Sequence, residues 1–455
     1  MGKANFLVNL GAVLTLGFGH CFAQNRVNAA AIDSYIAPYV ESANFSGCVL
    51  VEKDGKTVFE KAYGLADREA NLSNRSNTRF HIASVSMQFT AAAILRLVDQ
   101  KRISLDTKVS NVVPGITGGD KISVRDLLVE RSGLADINEL PDYSDVLKAP
   151  QTPASLVAKV KDRPLLFEPG SKFQHEEHSA YNLLALIVET KTGLPFAKAM
   201  EKLVFKPAGL AGSSVDDDHL SDRRVAKGYQ PKGVSELEAA ATIHWSAKSG
   251  NASVVATVQD EARWVQSLFN GTFLSKNSRE EILSTSPPVG YGWFRRESSR
   301  FHETAYYMNG RAPGFASFVL YLPKERLTVV VFSNIYSSAT TTMGNDVGAI
   351  SMGLPFEPFR PSSEDMSAAQ LASSVGSFKF GPDFYQANAE VQVVAEGKEL
   401  SLRWPSGELS PLIQMDRDRF VDRAYWEPVI IERDANDKPT QLSYDRFKGA
   451  VIPSD

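Results

Sequence analysis

Cysteine is nearly missing from this chain, with only Cys21 and Cys48 in 455 residues. That excludes a disulfide-stapled scaffold and a cysteine-based zinc site, so the fold must be held by its core. An excess of charge of either sign is also lacking, since 49 Lys+Arg face 53 Asp+Glu for a net charge of −4. Such a balance argues against a nucleic-acid or anionic-membrane surface and leaves a small molecule or peptide as the expected ligand. Internal repeats and low-complexity tracts are absent. With 43% hydrophobic and 22% charged residues, the composition excludes disorder, and the length suits two or three domains or one large α/β unit with an appendage.

What is present begins with an export signal. Lys3 precedes an apolar run from Phe6 to Phe18, too short to span a bilayer, and Cys21-Phe22-Ala23 offers a small-x-small cleavage site before Gln24. The alternative, Cys21 as a lipid attachment point, fits Phe18-Gly19-His20 poorly. An exported chain, periplasmic or secreted, is expected, with no transmembrane segment after cleavage. Cys48 is then the one remaining thiol, and within Gly47-Cys48-Val49-Leu50-Val51 it reads as a small buried hydrophobe.

Along the mature chain, Asp54-Gly55 between Val49–Val51 and Thr57–Phe59 predicts a tight hairpin, because both central residues of such a turn need positive φ. Val85 to Gln100 and Tyr181 to Thr190 carry apolar residues at helical spacing, the second stopped by Gly193. Strands return at Ser317–Leu322 and Leu327–Phe332. Strands at both ends of a helical middle give an α/β (α+β) fold, an antiparallel sheet flanked by helices with a helical insertion. The prolines and serines of 356–365 read as a linker. Alternating segments beyond it (Glu390–Val394, Glu399–Trp404, Val429–Glu432, Gln441–Tyr444) read as a small all-β sandwich or barrel over 366–455. The division is therefore 1–23 signal, 24–355 main domain, 356–365 linker and 366–455 β domain.

The segment Arg79-Phe80-His81-Ile82-Ala83-Ser84-Val85-Ser86-Met87 opens the first apolar helix with Ser84. With Ser132-Gly133-Leu134, Glu168-Pro169-Gly170, Tyr181-Asn182-Leu183-Leu184 and Pro313-Gly314-Phe315, it resembles the serine β-lactamase and penicillin-binding-protein family, on the branch of class C enzymes, family VIII esterases and D-peptidases. The resemblance runs from about residue 30 to 350, and the tail looks like the β-rich appendage of such domains. It implies the β-lactamase/transpeptidase-like fold, a serine hydrolase ancestry and no cofactor.

In that family Ser-x-x-Lys places an amine one helical turn from the nucleophile, where it takes the hydroxyl proton. Here that position is Met87, whose thioether has no useful basicity. The Tyr-x-Asn element falls within Gln174-His175-Glu176-Glu177-His178, and neither count, forward from Pro169 or back from Tyr181, recovers Tyr or Asn. His/Lys-x-Gly becomes Met308-Asn309-Gly310. Backbone N–H groups of Ser84 and Arg311 still suit an oxyanion hole, and Arg311 is expected to put a cation at the pocket edge or to point outward.

Candidate catalytic residues are thus Ser84, His175, Glu176 and His178, with Met87, Met308, Asn309, Gly310 and Arg311 lining the pocket. Alternatives stand beside each. Ser84 also suits a helix N-cap, and Met87 plain core packing. The loop cluster reads as a solvated polar loop, a substitute general base, or a site for a metal with N and O ligands. Tyr291-Gly292-Trp293 and Tyr306-Tyr307 read as pocket walls or core. Two functional readings compete: a non-catalytic protein binding a peptide-, cell-wall- or ester-like ligand in the old pocket, and a repurposed hydrolase, acyltransferase or rearranging enzyme with His175, Glu176 or His178 as substitute acid and base.

Overall fold

The computed structural model describes residues 27–174, 178–284 and 289–453. Its main sheet has seven strands: β1 (Gly47–Lys53), β2 (Lys56–Tyr63), β3 (Val289–Gly290), β4 (Trp293–Ser298), β5 (Glu303–Ala312), β6 (Phe315–Leu322) and β7 (Leu327–Ser333). Their spatial order is β3-β4-β5-β6-β7-β1-β2, antiparallel throughout. The N-terminal hairpin thus joins the late strands through β1–β7 pairing, Gly47 opposite Ser333, and everything between β2 and β3 is inserted. The β1–β2 turn has Asp54 and Gly55 at φ 53° and 72°, as its sequence predicts.

Both faces of this sheet are covered, so β1, β6 and β7 are apolar without a polar alternate. Leu50, Val319 and Val330 face a core shared with α2 (Met87–Asp99), α3 (His178–Thr192) and α4 (Val258–Phe269). Val49, Val51, Phe318 and Val331 face a second core against α1 (Ala29–Glu41) and α5 (Ala339–Met352). Cys48 lies in the first core, 1% exposed, with its thiol 3.2 Å from the Arg75 carbonyl and pushed up to about 12 by burial. Among the described residues, no helix is long and apolar enough to cross a membrane.

The C-terminal β domain is a closed eight-stranded barrel from Gly376–Lys379 to Phe447–Ile452, the last strand pairing back onto the first. Its lumen is filled by Phe378, Val391, Leu402, Val429 and Leu442, so it is a packed core rather than a channel. One residue locks it to the main domain. Arg423 is fully buried, and its guanidinium donates to Asn44 Oδ1 (2.8 Å) and to the carbonyls of Ala43, Gly233 and Glu236 at 3.0, 2.5 and 2.8 Å. Burial lowers its pKa to about 10, still leaving the guanidinium charged at neutral pH. Trp426 stacks on Tyr39 of α1, with 5.4 Å between centroids.

Candidate active site

Ser84 sits in a 3-10 turn, Ala83–Ser86, that feeds directly into α2. Ala83, immediately before it, has φ 49°, a conformation that costs an alanine of the order of 1 kcal/mol and must be held by its surroundings. The clamps are visible. Ile82 N–H donates to the Val254 carbonyl at 3.0 Å, Ser86 Oγ accepts from Val254 N–H at 3.1 Å, and Ser317 Oγ donates to the Ile82 carbonyl at 2.6 Å. Ser84 is not a cap, since Ile82 holds that position for the 3-10 turn and Ser86 for α2, which begins three residues after Ser84.

Gly310 explains how β5 comes so close. A Cβ there would lie 2.7 Å from Ser84 N and 2.8 Å from the Ile82 carbonyl oxygen, so only glycine lets the strand abut the turn. Beside it the sheet has an open edge among the described residues, because β4 pairs with β5 only as far as Tyr307 and leaves Met308–Ala312 bonded to β6 alone. Met87 and Met308 are 1% and 4% exposed and belong to one apolar cluster. The β3–β4 turn packs against the same helix start, where a Cβ on Gly292 would lie 2.4 Å from Gln88 N. Tyr291, Trp293 and Tyr306 are core residues, and Tyr291 OH is tied to Glu281 (2.8 Å) and Arg125 (3.1 Å).

Strand alternation separates the other two pocket candidates from Ser84. Asn309 and Arg311 occupy the opposite face of β5 from Met308 and Gly310. The Arg311 guanidinium lies 4.1 and 4.3 Å from the ring centroids of Tyr336 and Tyr425 and donates to Ser338 Oγ (3.2 Å) and the Ala424 carbonyl (3.1 Å). The cation expected at the edge of the Ser84 pocket is instead engaged at the barrel junction.

His178 is the first residue of α3, and Nδ1 is 2.9 Å from Asp136 Oδ2. Asn138 Nδ2 stands against the same ring, and Asp136 Oδ1 accepts from Asn138 N–H at 2.7 Å. With Nδ1–H given to the carboxylate, the Nε2 lone pair is left to accept from Asn138 Nδ2 at 3.2 Å. Helix α3 runs unbroken from His178 through Tyr181, so the count back from Tyr181 keeps helical phase. His175 and Glu176, with Glu177, lie outside the described residues. Among the described residues no group of three or more His, Cys, Asp or Glu is placed to hold a metal.

Two pairs escaped sequence reasoning. Lys248, 8% exposed, donates to Tyr143 OH at 2.5 Å, and burial together with the charge of Asp136 pushes the pKa of that phenol up. The turn carrying Lys248 is fixed beside His81 by Trp245, whose ring stacks on the imidazole at 3.7 Å, three residues before Ser84. The second pair is Gln88 and Glu261. Glu261 is fully buried, accepts from Gln88 Nε2 at 2.6 Å, has no partner for Oε2, and is lifted to about 8 by desolvation. No spacing rule links residues 105 or 173 positions apart.

The model of the family described as Beta-lactamase matches residues 32–349. The chain belongs to the β-lactamase family. A curated relative, the putative penicillin-binding protein PbpX of Bacillus subtilis (strain 168), is 24% identical over 319 residues, 70% of this chain and 78% of that protein. Among solved structures, the octameric penicillin-binding protein homologue from Pyrococcus abyssi superposes with a TM-score of 0.64 at 20% identity, covering 93% of this chain and 99% of that one. The D-amino acid amidase from Ochrobactrum anthropi SV3 gives 0.61 at 19% identity, covering 71% of this chain and 98% of its own. These likenesses, with the match to the family, account for both the sheet-and-helix domain and its serine-hydrolase ancestry.

Proposed function

We propose that this β-lactamase-family chain is an exported protein that binds a peptide-, cell-wall- or ester-like ligand beside Ser84 and does not carry out the family's usual acyl-serine hydrolysis. One observation carries the reading: one turn along the helix from Ser84, where the family's amine would stand, the side chain is Met87, 1% exposed. A nucleophilic hydroxyl needs a base within hydrogen-bond reach, and a thioether cannot serve. Binding needs less. The open edge of β5 and the Ser84 N–H beside Gly310 suit a carbonyl-bearing, extended ligand. The named activities of the relatives, penicillin binding and D-amino acid amide cleavage, fit the same ligand class.

Incubation with a fluorescent penicillin or a fluorophosphonate, followed by mass spectrometry, tests this. No adduct on Ser84 is expected, and p-nitrophenyl ester turnover is expected to be unchanged in Ser84→Ala. Rapid acylation of Ser84 would overturn the proposal. The double variant Met87→Lys with Glu176→Tyr is expected to gain labelling.

A second reading rests on the His178–Asp136 pair, which has the order of a base and its orienting carboxylate and would make the chain a repurposed enzyme. It predicts residual Ser84 labelling that His178→Ala abolishes.

A further inference from the structure

A cavity of about 580 Å³ lies between the barrel and the main domain, on the face of β5 that carries Asn309. Ser84 does not line it. Its walls are aromatic: Tyr385, Trp404, Tyr425 and Tyr444 all contribute, and these rings meet edge-on. Trp404 stands at 71° to Tyr425 and 89° to Tyr444, with centroids 5.8 and 5.3 Å apart, and Tyr385 stands at 88° to Tyr444 at 6.4 Å. Aromatic walls offer electron-rich ring faces, the surface that attracts an onium group.

Charge points the same way. Glu427 is the only ionisable acid or base among the lining residues apart from the tyrosines. Behind the wall, Tyr444 OH donates to Asp422 Oδ2 at 3.0 Å and Tyr385 OH to Asp445 Oδ2 at 2.8 Å. Both phenol protons are therefore committed outward, which enriches the rings and frees their oxygens to accept. The nearby cations are outside the lining: Arg311 is held between Tyr336 and Tyr425, and Arg446 lies beside Tyr385 with its guanidinium 6.0 Å from the ring centroid.

We infer that this junction cavity is a binding site for an organic ammonium ion, held by the Tyr385, Trp404, Tyr425 and Tyr444 rings with Glu427 as counter-ion. The volume leaves room for a drug-sized body beyond the ammonium group. Burial and the neighbouring Asp445 and Asp422, opposed by Arg446, raise Glu427 to about 7, so a bound cation draws its proton off and binding strengthens from pH 6 to 8. The site needs no chemistry at Ser84 and stands or falls apart from the function proposed above.

The test titrates the intact protein with choline and with its uncharged isostere 3,3-dimethylbutan-1-ol, following the fluorescence of the wall tryptophans and checking by calorimetry. Saturable choline binding is expected, with the neutral isostere at least tenfold weaker. Glu427→Gln and, separately, Tyr385→Leu are expected to weaken choline at least tenfold, and Ser84→Ala to leave it unchanged. Equal binding of the two isosteres, no saturable choline binding, or saturation only by N-acetylglucosamine oligomers would overturn the assignment. A Glu427→Gln protein that melts normally and binds choline as tightly as the parent would do the same.

Discussion

The two faces of β5 have been built by different physics. On the Ser84 face, Met308 and Gly310 supply apolar bulk and close backbone approach, and the groups nearest Gly310 are Ser84 N, the Ile82 carbonyl and Ser317 Oγ. On the barrel face, one residue out of step, Asn309 and Arg311 meet tyrosines, serines and a carbonyl of another domain. The difference teaches where this chain keeps its polar specificity: less beside the inherited serine than at the junction with the barrel. The junction side should therefore respond to loss of a side chain, and the serine side to the protonation of a single buried acid.

The largest effect is expected at Arg423. Arg423→Met strips five acceptors of a buried, charged donor, and chemical denaturation should show a loss of about 3–5 kcal/mol or a separate barrel transition. A variant within about 1 kcal/mol of the parent would mean that apolar contacts alone hold the junction. Next comes Glu261 behind the Ser84 turn. Its folded pKa of about 8 lies above the ordinary glutamate value of 4.5, so between these values the native state holds a proton that the unfolded chain has released. Stability should fall as pH rises through that window, by up to about 1.4 kcal/mol per pH unit, and Glu261→Gln should flatten the slope. An unchanged slope in that variant would remove Glu261 as its source. The smallest effect belongs to Arg311→Leu, which loses two aromatic faces and two hydrogen bonds and should cost about 1–2 kcal/mol by thermal or chemical unfolding.

Much of the architecture was legible from local pattern. Asp54-Gly55 located the hairpin, helical spacing located α2 and α3, and unbroken apolar runs marked β6 and β7 as buried. The β domain was legible as strands but not as a barrel, because period-two alternation is identical in a sandwich and a cylinder; closure depends on Phe378 meeting Val451 across the chain. At the site, the identity of position 87 was plain, and the orientation of Arg311 was available in principle: once Gly310 faces Ser84, its neighbours must face away. Asp136 beside His178 was not available, since the contact spans 42 positions of loop and helix start. Nor was Arg423, which reads as one more surface arginine until the carbonyls of Ala43 and Gly233 are brought around it.

The pairing of Gly376–Lys379 with Phe447–Ile452 has one further consequence. A nonsense mutation that removed this last strand would not trim a tail; it would unzip the cylinder along its seam and uncover two adhesive borders, those of Gly376–Lys379 and Pro439–Tyr444. Such a shortened product is expected to clump with its own kind, so purifying tags belong after Ile452 on a spacer and never in place of it.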